Sequence, residues 1–356
     1  MSKQTTSAAV VAVAFGLLGI VAAACGTSSG SSSTTTSAST TSAPSSATVS
    51  VPISVSTDSS GVMRGIVRVE VGGGPSVPVL LDTGSAGLRI LPKDVGSGIR
   101  ATGQTDAAAF GGGNELTSTV VATTVTIAGV STSSSTKVSL IQSSGCATGA
   151  TSCTPGQAAS DLFEGSGAVG ILGIAMADGS VAATPIYSPL LQLSAPFRNG
   201  FTLSLPIQGT DSFTLGTPTS TAATVTLPLQ PATPSSYPNG MPAWQKDVDL
   251  CWTLNDKEHG CGSTDLDLGN PQTVIAPGAI PGLPSGATAD PGLPISVTTA
   301  GGQSVWSYTA TNTPGQGLTI VTALPGTTQF NTGIGIFTTH MVGYDAVDGR
   351  ILVTPL

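Results

Sequence analysis

Two aspartates occupy similar positions in the chain, and as a pair they could perform acid and base catalysis. Asp82 follows the apolar run VLL and precedes TGS, while Asp267 precedes LGN. Two carboxylates about 3 Å apart cannot both ionise, so they share a proton and titrate in two separate steps. The ionised member can act as general base on a water molecule while the protonated member polarises a carbonyl group. Hydrolysis by such a pair needs no metal, cofactor or covalent intermediate.

Each aspartate has a competing interpretation. Asp and Gly are common turn residues, so Asp82 could belong to an ordinary β-turn. Asp265 lies two residues before Asp267 and could face the site in its place. The Asp-x-Gly sequence that starts at Asp267 favours Asp267.

Other chemical motifs lack the surroundings that their functions require. A G-x-S-x-G match at residues 26–30 falls in a segment of Ser and Thr, not on a strand and turn. A G-x-G-x-x-G match at residues 165–170 has no βαβ pattern around it. His259 and His340 have no recurring acidic partner. We therefore predict neither a histidine-based triad nor a dinucleotide site.

The elements that must position the aspartates have the pattern of short β-strands. Only 8% of the residues are charged, and 46 Gly and 25 Pro disfavour a helical bundle. Branched apolar residues alternate with Thr or Ser between turn signals, which predicts an all-β fold. The best strand candidates are residues 65–71, 77–81, 120–127, 201–205, 225–229 and 351–353, and the best short helix is 188–193.

The charge balance excludes one class of partner. The formal net charge is −8, and the 11 Lys and Arg residues do not cluster. Binding to nucleic acid requires clustered basic residues that neutralise phosphates. We therefore expect no nucleic-acid partner.

Six segments, in the correct order, resemble the pepsin-like aspartic proteases. They are the first Asp-Thr-Gly loop (79–92), the flap hairpin (110–121), an apolar Gly-containing run (168–175), a short helix and strand (188–205), a strand near the lobe junction (211–216) and the closing strands (341–355). The resemblance implies a bilobal fold with a cleft between β lobes at residues 51–206 and 207–356.

The resemblance also implies roles for single residues. Asp82 and Asp267 would form the catalytic dyad, Gly84 and Gly269 would donate backbone N–H groups to the carboxylates, and Ser85 would bond an outer oxygen. Further support would come from Thr83 and from Asn270, which stands where the family has Ser or Thr and can donate to a carboxylate. The flap would contain Phe110, Gly111, Gly112 and Gly113.

Two residues depart from the family pattern. Leu268 replaces a Thr or Ser whose hydroxyl bonds across to the other lobe, so half of that interlobe contact should be absent. Phe110 replaces the usual Tyr and lacks its hydroxyl. We expect these changes to give a slow or selective enzyme because both carboxylates are retained.

The amino terminus indicates export. Lys3 precedes an uncharged apolar stretch that ends in Ala-Ala-Ala-Cys25, which is typical of a signal peptide over residues 1–24. The stretch is barely long enough for a transmembrane anchor, the alternative. Small residues before Cys25 resemble a lipobox, which predicts a lipid-anchored protein of the cell envelope, as in a bacterial lipoprotein branch of the family. Residues 25–50 would then form a Ser- and Thr-rich tether.

The remaining cysteines form two close pairs, Cys146 with Cys153 and Cys251 with Cys261. In an exported protein these pairs predict two local disulfides. A metal site is the rival interpretation, but neither spacing is typical of zinc, and His259 is the only nearby imidazole.

The combined prediction is a monomeric aspartic endopeptidase that acts on peptide or protein substrates at the cell envelope. The first alternative is a weak or inactive pepsin-like lipoprotein that binds peptides. The second is a structural envelope lipoprotein, in which the two carboxylates would lie more than one water apart.

Overall fold

The computed structural model describes residues 47–57, 61–150, 153–176, 186–276, 278–281, 288–313, 319–321 and 329–356. These residues belong to one compact unit, Pro44–Leu356. The unit is mostly β, as predicted, and has two curled half-barrel sheets. The described part contains the strands β1 (Val49–Ser50), β2 (Ile53–Thr57), β3 (Met63–Val71), β4 (Val77–Asp82), β5 (Ala86–Ile90), β6 (Arg100–Ala109), β7 (Asn114–Thr123), β8 (Val125–Ile127), β9 (Val130–Ser131), β10 (Thr136–Cys146), β11 (Gly170–Ile174), β12 (Gly200–Ser204), β13 (Ser212–Leu215), β14 (Val225–Pro228), β15 (Pro231–Ser236), β16 (Pro242–Trp244), β17 (Val248–Leu254), β18 (Glu258–Asp265), β19 (Thr273–Ile275), β20 (Pro294–Thr298), β21 (Ser304–Thr309), β22 (Thr319–Val321), β23 (Phe330–Asn331), β24 (His340–Asp345) and β25 (Arg350–Pro355). Short 3-10 helices occupy Pro92–Asp94, Glu164–Ser166, Leu190–Gln192, Phe197–Asn199 and Gly333–Thr338.

The sequence located the strands well and the helix less well. Each predicted strand is present, but the run at 120–127 is divided into β7 and β8. The division falls at Thr124, whose carbonyl leaves the ladder and accepts the Gly72 N–H at 3.0 Å. The predicted helix at 188–193 is only a buried 3-10 turn, Leu190–Gln192. Strand β1 begins at Val49, two residues before the predicted start of the fold.

Three large sheets form the unit. The N-terminal sheet has ten strands in the order β6-β7-β10-β5-β11-β4-β3-β8-β9, with β2 paired to β3. The C-terminal sheet has seven strands in the order β21-β20-β17-β18-β23-β19-β22. A central sheet, β1-β13-β12-β24-β25-β14, combines the first described strand with the last. Strands β15 and β16 form a separate pair.

Parallel pairing fixes the ends of the two strands that lead to the candidate aspartates. Strand β4 ends at Asp82 and runs parallel to β11, with Gly173 opposite Asp82. Strand β18 ends at Asp265 and runs parallel to β23, with Asn331 opposite Asp265. Each loop therefore leaves its sheet beside a second strand from much later in the chain.

Aromatic packing in the C-terminal sheet holds β23 in place. Phe330 is fully buried and stacks on Trp252, with ring centroids 5.1 Å apart. Trp252 also meets Trp306 edge to face at 6.2 Å. Buried side chains of this size each contribute roughly 1.5–3 kcal/mol, and the ring geometry adds to that. This packing fixes the backbone next to Asn331.

Both predicted disulfides are present. Cys146–Cys153 closes a loop after β10, and Cys251–Cys261 joins directly opposed positions of β17 and β18. His259 lies beside the second bridge, with Nε2 3.5 Å from the Cys261 Sγ. Because these sulfurs are bonded to one another, they are not thiolate ligands.

Within the described ranges, no helix combines the length and apolar character needed to cross a membrane.

Candidate active site

The loop after β4 surrounds the Asp82 carboxylate with donors. Its Oδ1 accepts the backbone N–H of Gly84 at 2.8 Å, and its Oδ2 accepts the Ser85 hydroxyl at 2.5 Å. Asp82 is only 8% exposed. Gly84 and Ser85 therefore supply the two donors to Asp82 from its own loop. A side chain at Gly173 would meet the backbone of Ser85 and Ala86, so that glycine lets β11 pack beneath the loop.

The loop after β18 surrounds Asp267 in a similar way. Its Oδ1 accepts the Gly269 N–H at 2.8 Å. Its Oδ2 accepts the Asn331 side-chain amide, also at 2.8 Å. Each carboxylate thus receives one backbone N–H and one side-chain donor.

The side chain that donates to Asp267 Oδ2 is that of Asn331 and not that of Asn270. The Asn270 side-chain oxygen caps its own turn by accepting the Gln272 N–H at 3.2 Å, which makes Asn270 a support for the loop. Asn331 reaches Asp267 because parallel pairing brings β23 beside β18. A sequence signal was available, since the apolar Gly-containing run at 333–337 resembles the run at 170–174.

The two carboxylates face one another across the junction of the loops. The Asp267 carboxylate lies close enough to Asp82 for its charge to raise the pKa of Asp82. A Cβ atom at Gly84 would lie 2.6 and 2.7 Å from the Asp267 oxygens, and one at Gly269 would collide with Asp82 Oδ1. Glycine is therefore required on both sides for the carboxylates to meet.

Burial and the charge of Asp267 raise the pKa of Asp82 to about 7, although the bonds from Ser85 and Gly84 lower it. A carboxylic acid in this setting stays protonated well above its ordinary pKa near 3.8. The pair therefore retains one shared proton in mildly acidic solution.

Thr83 and Leu268 make an asymmetric contact between the loops. The Thr83 hydroxyl donates to the Leu266 carbonyl at 2.7 Å and accepts the Leu268 N–H at 2.8 Å. Leu268 is fully buried, and its Cδ2 lies only 3.0 Å from the point that a Cβ atom at Gly65 would occupy. Leu268 therefore packs directly against this glycine. As expected from the sequence, a hydroxyl bridges the loops from one side only, and apolar packing replaces the other half.

The alternative aspartate, Asp265, lies in the same cleft but has a different partner. Its Oδ2 forms an ion pair with Lys246 Nζ, which is also 2.8 Å from Asp247 Oδ1. Burial raises the pKa of Asp265 well above its ordinary value, although the Lys246 ammonium lowers it. Asp267, and not Asp265, is the carboxylate whose charge raises the pKa of Asp82.

A hairpin of β6 and β7 overhangs the cleft at its turn. Phe110 N–H donates to the Asn114 carbonyl at 2.8 Å, and Gly113 N–H donates to the Phe110 carbonyl at 2.8 Å. Ala147 N–H, next to the Cys146–Cys153 bridge, donates to the Gly113 carbonyl at 2.9 Å. The predicted flap residues Phe110, Gly111 and Gly112 line the cleft.

The cleft has a volume of about 680 Å³ and walls of different chemistry. The wall from the N-terminal sheet and the segment before β11 is mainly apolar, whereas the opposite wall is mainly polar. The apolar wall contains Leu80, Phe110, Leu116, Leu162, Phe163 and Ile171, and the polar wall contains Asp265, Asn270, Gln272, Gln329 and Asn331. The predicted lipidation site, Cys25, lies outside the described residues.

The fold and the paired aspartate loops define a pepsin-like aspartyl peptidase-like domain. The structure resembles the crystal structure of aspartic proteinase from Irpex lacteus, with a TM-score of 0.58 and 17% sequence identity over 87% of this chain and 97% of that chain. Residues 49–345 match the model of the PE-PGRS C-terminal aspartyl peptidase-like domain, and the chain belongs to that family. No curated protein matches the sequence.

Proposed function

We propose that the protein is an aspartic endopeptidase in which Asp82 and Asp267 activate a water molecule. The observation that carries this proposal is the close approach of two carboxylates that each receive a backbone N–H and a side-chain donor. The pair lies in a cleft beneath a hairpin, which can cover an extended peptide and exclude water.

The protonation states suggest which carboxylate performs which step. Below about pH 7 Asp82 holds the shared proton, which leaves Asp267 as the general base. Asp267 removes a proton from water as the water oxygen bonds to the scissile carbon, and protonated Asp82 donates to the carbonyl oxygen. The C–N bond then breaks, the amine nitrogen takes a proton from Asp267, and the tetrahedral oxygen returns its proton to Asp82.

The test is cleavage of a mixed peptide library, with products identified by mass spectrometry. We expect Asp82→Asn and Asp267→Asn each to reduce cleavage by about 1,000-fold or more, because either change removes the shared-proton chemistry. The matched control is Asp249→Asn, which makes the same change at an exposed position of β17. Cleavage that persists in either dyad variant would refute the dyad.

A second candidate is a pepsin-like protein that binds peptides without cleaving them. Leu268 and Phe110 favour it because both lack a hydroxyl that the pepsin-like proteases use. Tight binding of a statine-type inhibitor with no turnover of any peptide would support this candidate.

We further propose that the protein is exported and anchored to the cell envelope through a lipid on Cys25. The apolar stretch and small residues before Cys25, together with two disulfides in the folded unit, support this location.

A further inference from the structure

Asp265 lines the same cleft as Asp267 but has no role in the proposed hydrolysis. Successive side chains of an extended segment alternate between two faces, so residues 265 and 267 share a face while Leu266 between them is buried. Both aspartates line the cleft, and Asp265 is 7% exposed. The second carboxylate thus lies in the substrate cleft, next to the reacting pair.

The ion pair leaves part of Asp265 without a partner. Lys246 Nζ contacts Asp265 Oδ2, and Asp265 Oδ1 has no hydrogen-bond partner within the described part of the chain. Gln329, which also lines the cleft, donates its Nε2 to Asp247 Oδ2 at 3.1 Å and keeps Oε1 as an acceptor. Two oxygen acceptors from Asp265 and Gln329 therefore belong to the same polar wall.

The local charge is negative when these groups are ionised. Lys246 carries one positive charge, Asp265 and Asp247 carry one negative charge each, and the Lys246 ammonium contacts both carboxylates. Burial lowers the pKa of Lys246, but Asp265 and Asp247 raise it by more, so the ammonium stays charged. Arg64 also lines the cleft, and its Nη1 donates to the Gly269 carbonyl at 2.6 Å.

We propose that Asp265, assisted by Gln329, is a specificity residue that selects a peptide with Arg or Lys next to the scissile bond. The inference rests on the proposed endopeptidase function and narrows its substrate class. A guanidinium or ammonium group supplies N–H donors and a positive charge, which match the two acceptors and the net negative charge. A neutral apolar side chain would leave those acceptors without partners.

The test uses two series of internally quenched peptides, Phe–X and X–Phe, with X as Arg, Lys, Gln, Leu or Glu. We expect kcat/KM, at the highest pH at which the Leu peptide is still cleaved, to be about tenfold higher for Arg than for Leu in one series, as for a hydrogen bond to a charged group. Asp265→Asn should remove this ratio while the Leu peptide is still cleaved. Asp249→Asn, on an exposed strand position, should keep it.

The pH dependence of the Arg/Leu ratio gives a test that needs no variant. Ionisation of Asp265 creates the negative charge, so the ratio should fall as the solution is acidified and stay flat in Asp265→Asn. The groups that interact with Asp265 are Lys246, Asp247, Asp267 and Tyr344. Division by the rate for the Leu peptide removes the dyad's own pH dependence.

The outcomes separate the inference from the function on which it rests. If wild type cleaves the Leu peptide but shows no Arg or Lys preference, or prefers Glu, the inference is overturned and the endopeptidase proposal stands. If wild type cleaves no peptide, the endopeptidase proposal fails. In that case fluorescence anisotropy compares the binding of labelled Phe–Arg with Phe–Leu peptides, and of Arg–Phe with Leu–Phe peptides. Equal affinities within both pairs would overturn the inference.

Discussion

Gly84 and Gly269 set how closely the two carboxylates can approach. Each occupies the space where a Cβ would meet the aspartate of the other loop. Each also donates its backbone N–H to the aspartate of its own loop at 2.8 Å. One residue type thus satisfies a steric and a hydrogen-bonding requirement together.

Gly84→Ala should disable the site without unfolding the protein. The added methyl would force Asp267 away from Asp82, and a displacement of about 1 Å at a reacting group can lower the rate about 100-fold. We expect kcat/KM for peptide cleavage to fall by at least that factor. Gly301→Ala is the control, because its Cβ would have only an ordinary contact at 3.8 Å. Equal activity of the two variants would contradict the steric argument.

The residues of the first loop could be predicted because its contacts are local. Asp82, Gly84 and Ser85 lie within four consecutive residues and bond to one another. Asn331 could not be predicted in the same way, because its contact with Asp267 depends on the pairing of two distant strands. The sequence predicts Asn270 in this role only because it lies three residues after Asp267 in the chain.

A buried ion pair joins the strand after the first loop to the flap hairpin. Arg89 on β5 lies 3.1 Å from Asp106 on β6, and both side chains are almost completely buried. Arg89 Nη1 also donates to the Ala86 carbonyl at 2.9 Å, and Arg89 Cζ lies 5.9 Å from the centre of the Phe110 ring. Arg89 therefore contacts both the active-site loop and the flap.

Breaking this pair should destabilise the protein strongly. Asp106→Leu would leave the Arg89 charge buried without a partner, at a cost of about 3–5 kcal/mol in the free energy of unfolding. The double variant Arg89→Met with Asp106→Leu should recover much of that loss because it leaves no unpaired charge. Urea unfolding measures both values. A double variant no more stable than Asp106→Leu would refute the explanation.

At the scale of elements, strands were easier to predict than their partners. Runs rich in branched apolar residues marked β3 and β4, and alternation of apolar residues with Thr or Ser marked β7 and β12, because both patterns suit a strand. The parallel pairs β4 with β11 and β18 with β23 could be inferred only through the family resemblance, since periodicity does not identify a partner. The short helix was predicted too long because Pro189 and Leu193 bound a single buried turn.

The whole folded unit is joined by its central sheet. Strand β1 pairs with β13, and β24 pairs with both β12 and β25. Phe201 and Tyr344 stack across β12 and β24 with centroids 4.6 Å apart, and the Tyr344 hydroxyl donates to the Leu266 carbonyl at 3.0 Å. The central sheet therefore contacts the loop that holds Asp267.

The proposed envelope anchor is a property of the whole chain. In a bacterial host fed a clickable fatty-acid analogue, we expect the protein to be labelled and to fractionate with membranes. Cys25→Ser should lose the label and release the protein, while the disulfide-bonded unit stays folded. Labelling of Cys25→Ser, or none of wild type, would contradict the anchor.

Because few residues of the chain are charged, the presence of three aspartates in one cleft is a stronger indication of a functional site. Of only 19 Asp and Glu residues, Asp82, Asp265 and Asp267 line one cleft. Composition predicted the β class, which the structure confirms, while the absence of a nucleic-acid partner stays a prediction. It could not predict the pairing of Asp265 with Lys246, because that contact depends on the antiparallel register of β17 with β18.

The most direct test of the central claim is the pH dependence of kcat for one cleaved peptide, measured for wild type and Asp82→Asn. The pKa of Asp82 is raised to about 7, so the shared proton is present in acid and is lost as pH rises through that value. Wild-type activity should therefore lie on the acid side and fall as the pH passes about 7, while Asp82→Asn should be inactive throughout. A wild-type rate that rises through neutral pH to an alkaline plateau, or cleavage by Asp82→Asn, would contradict the account.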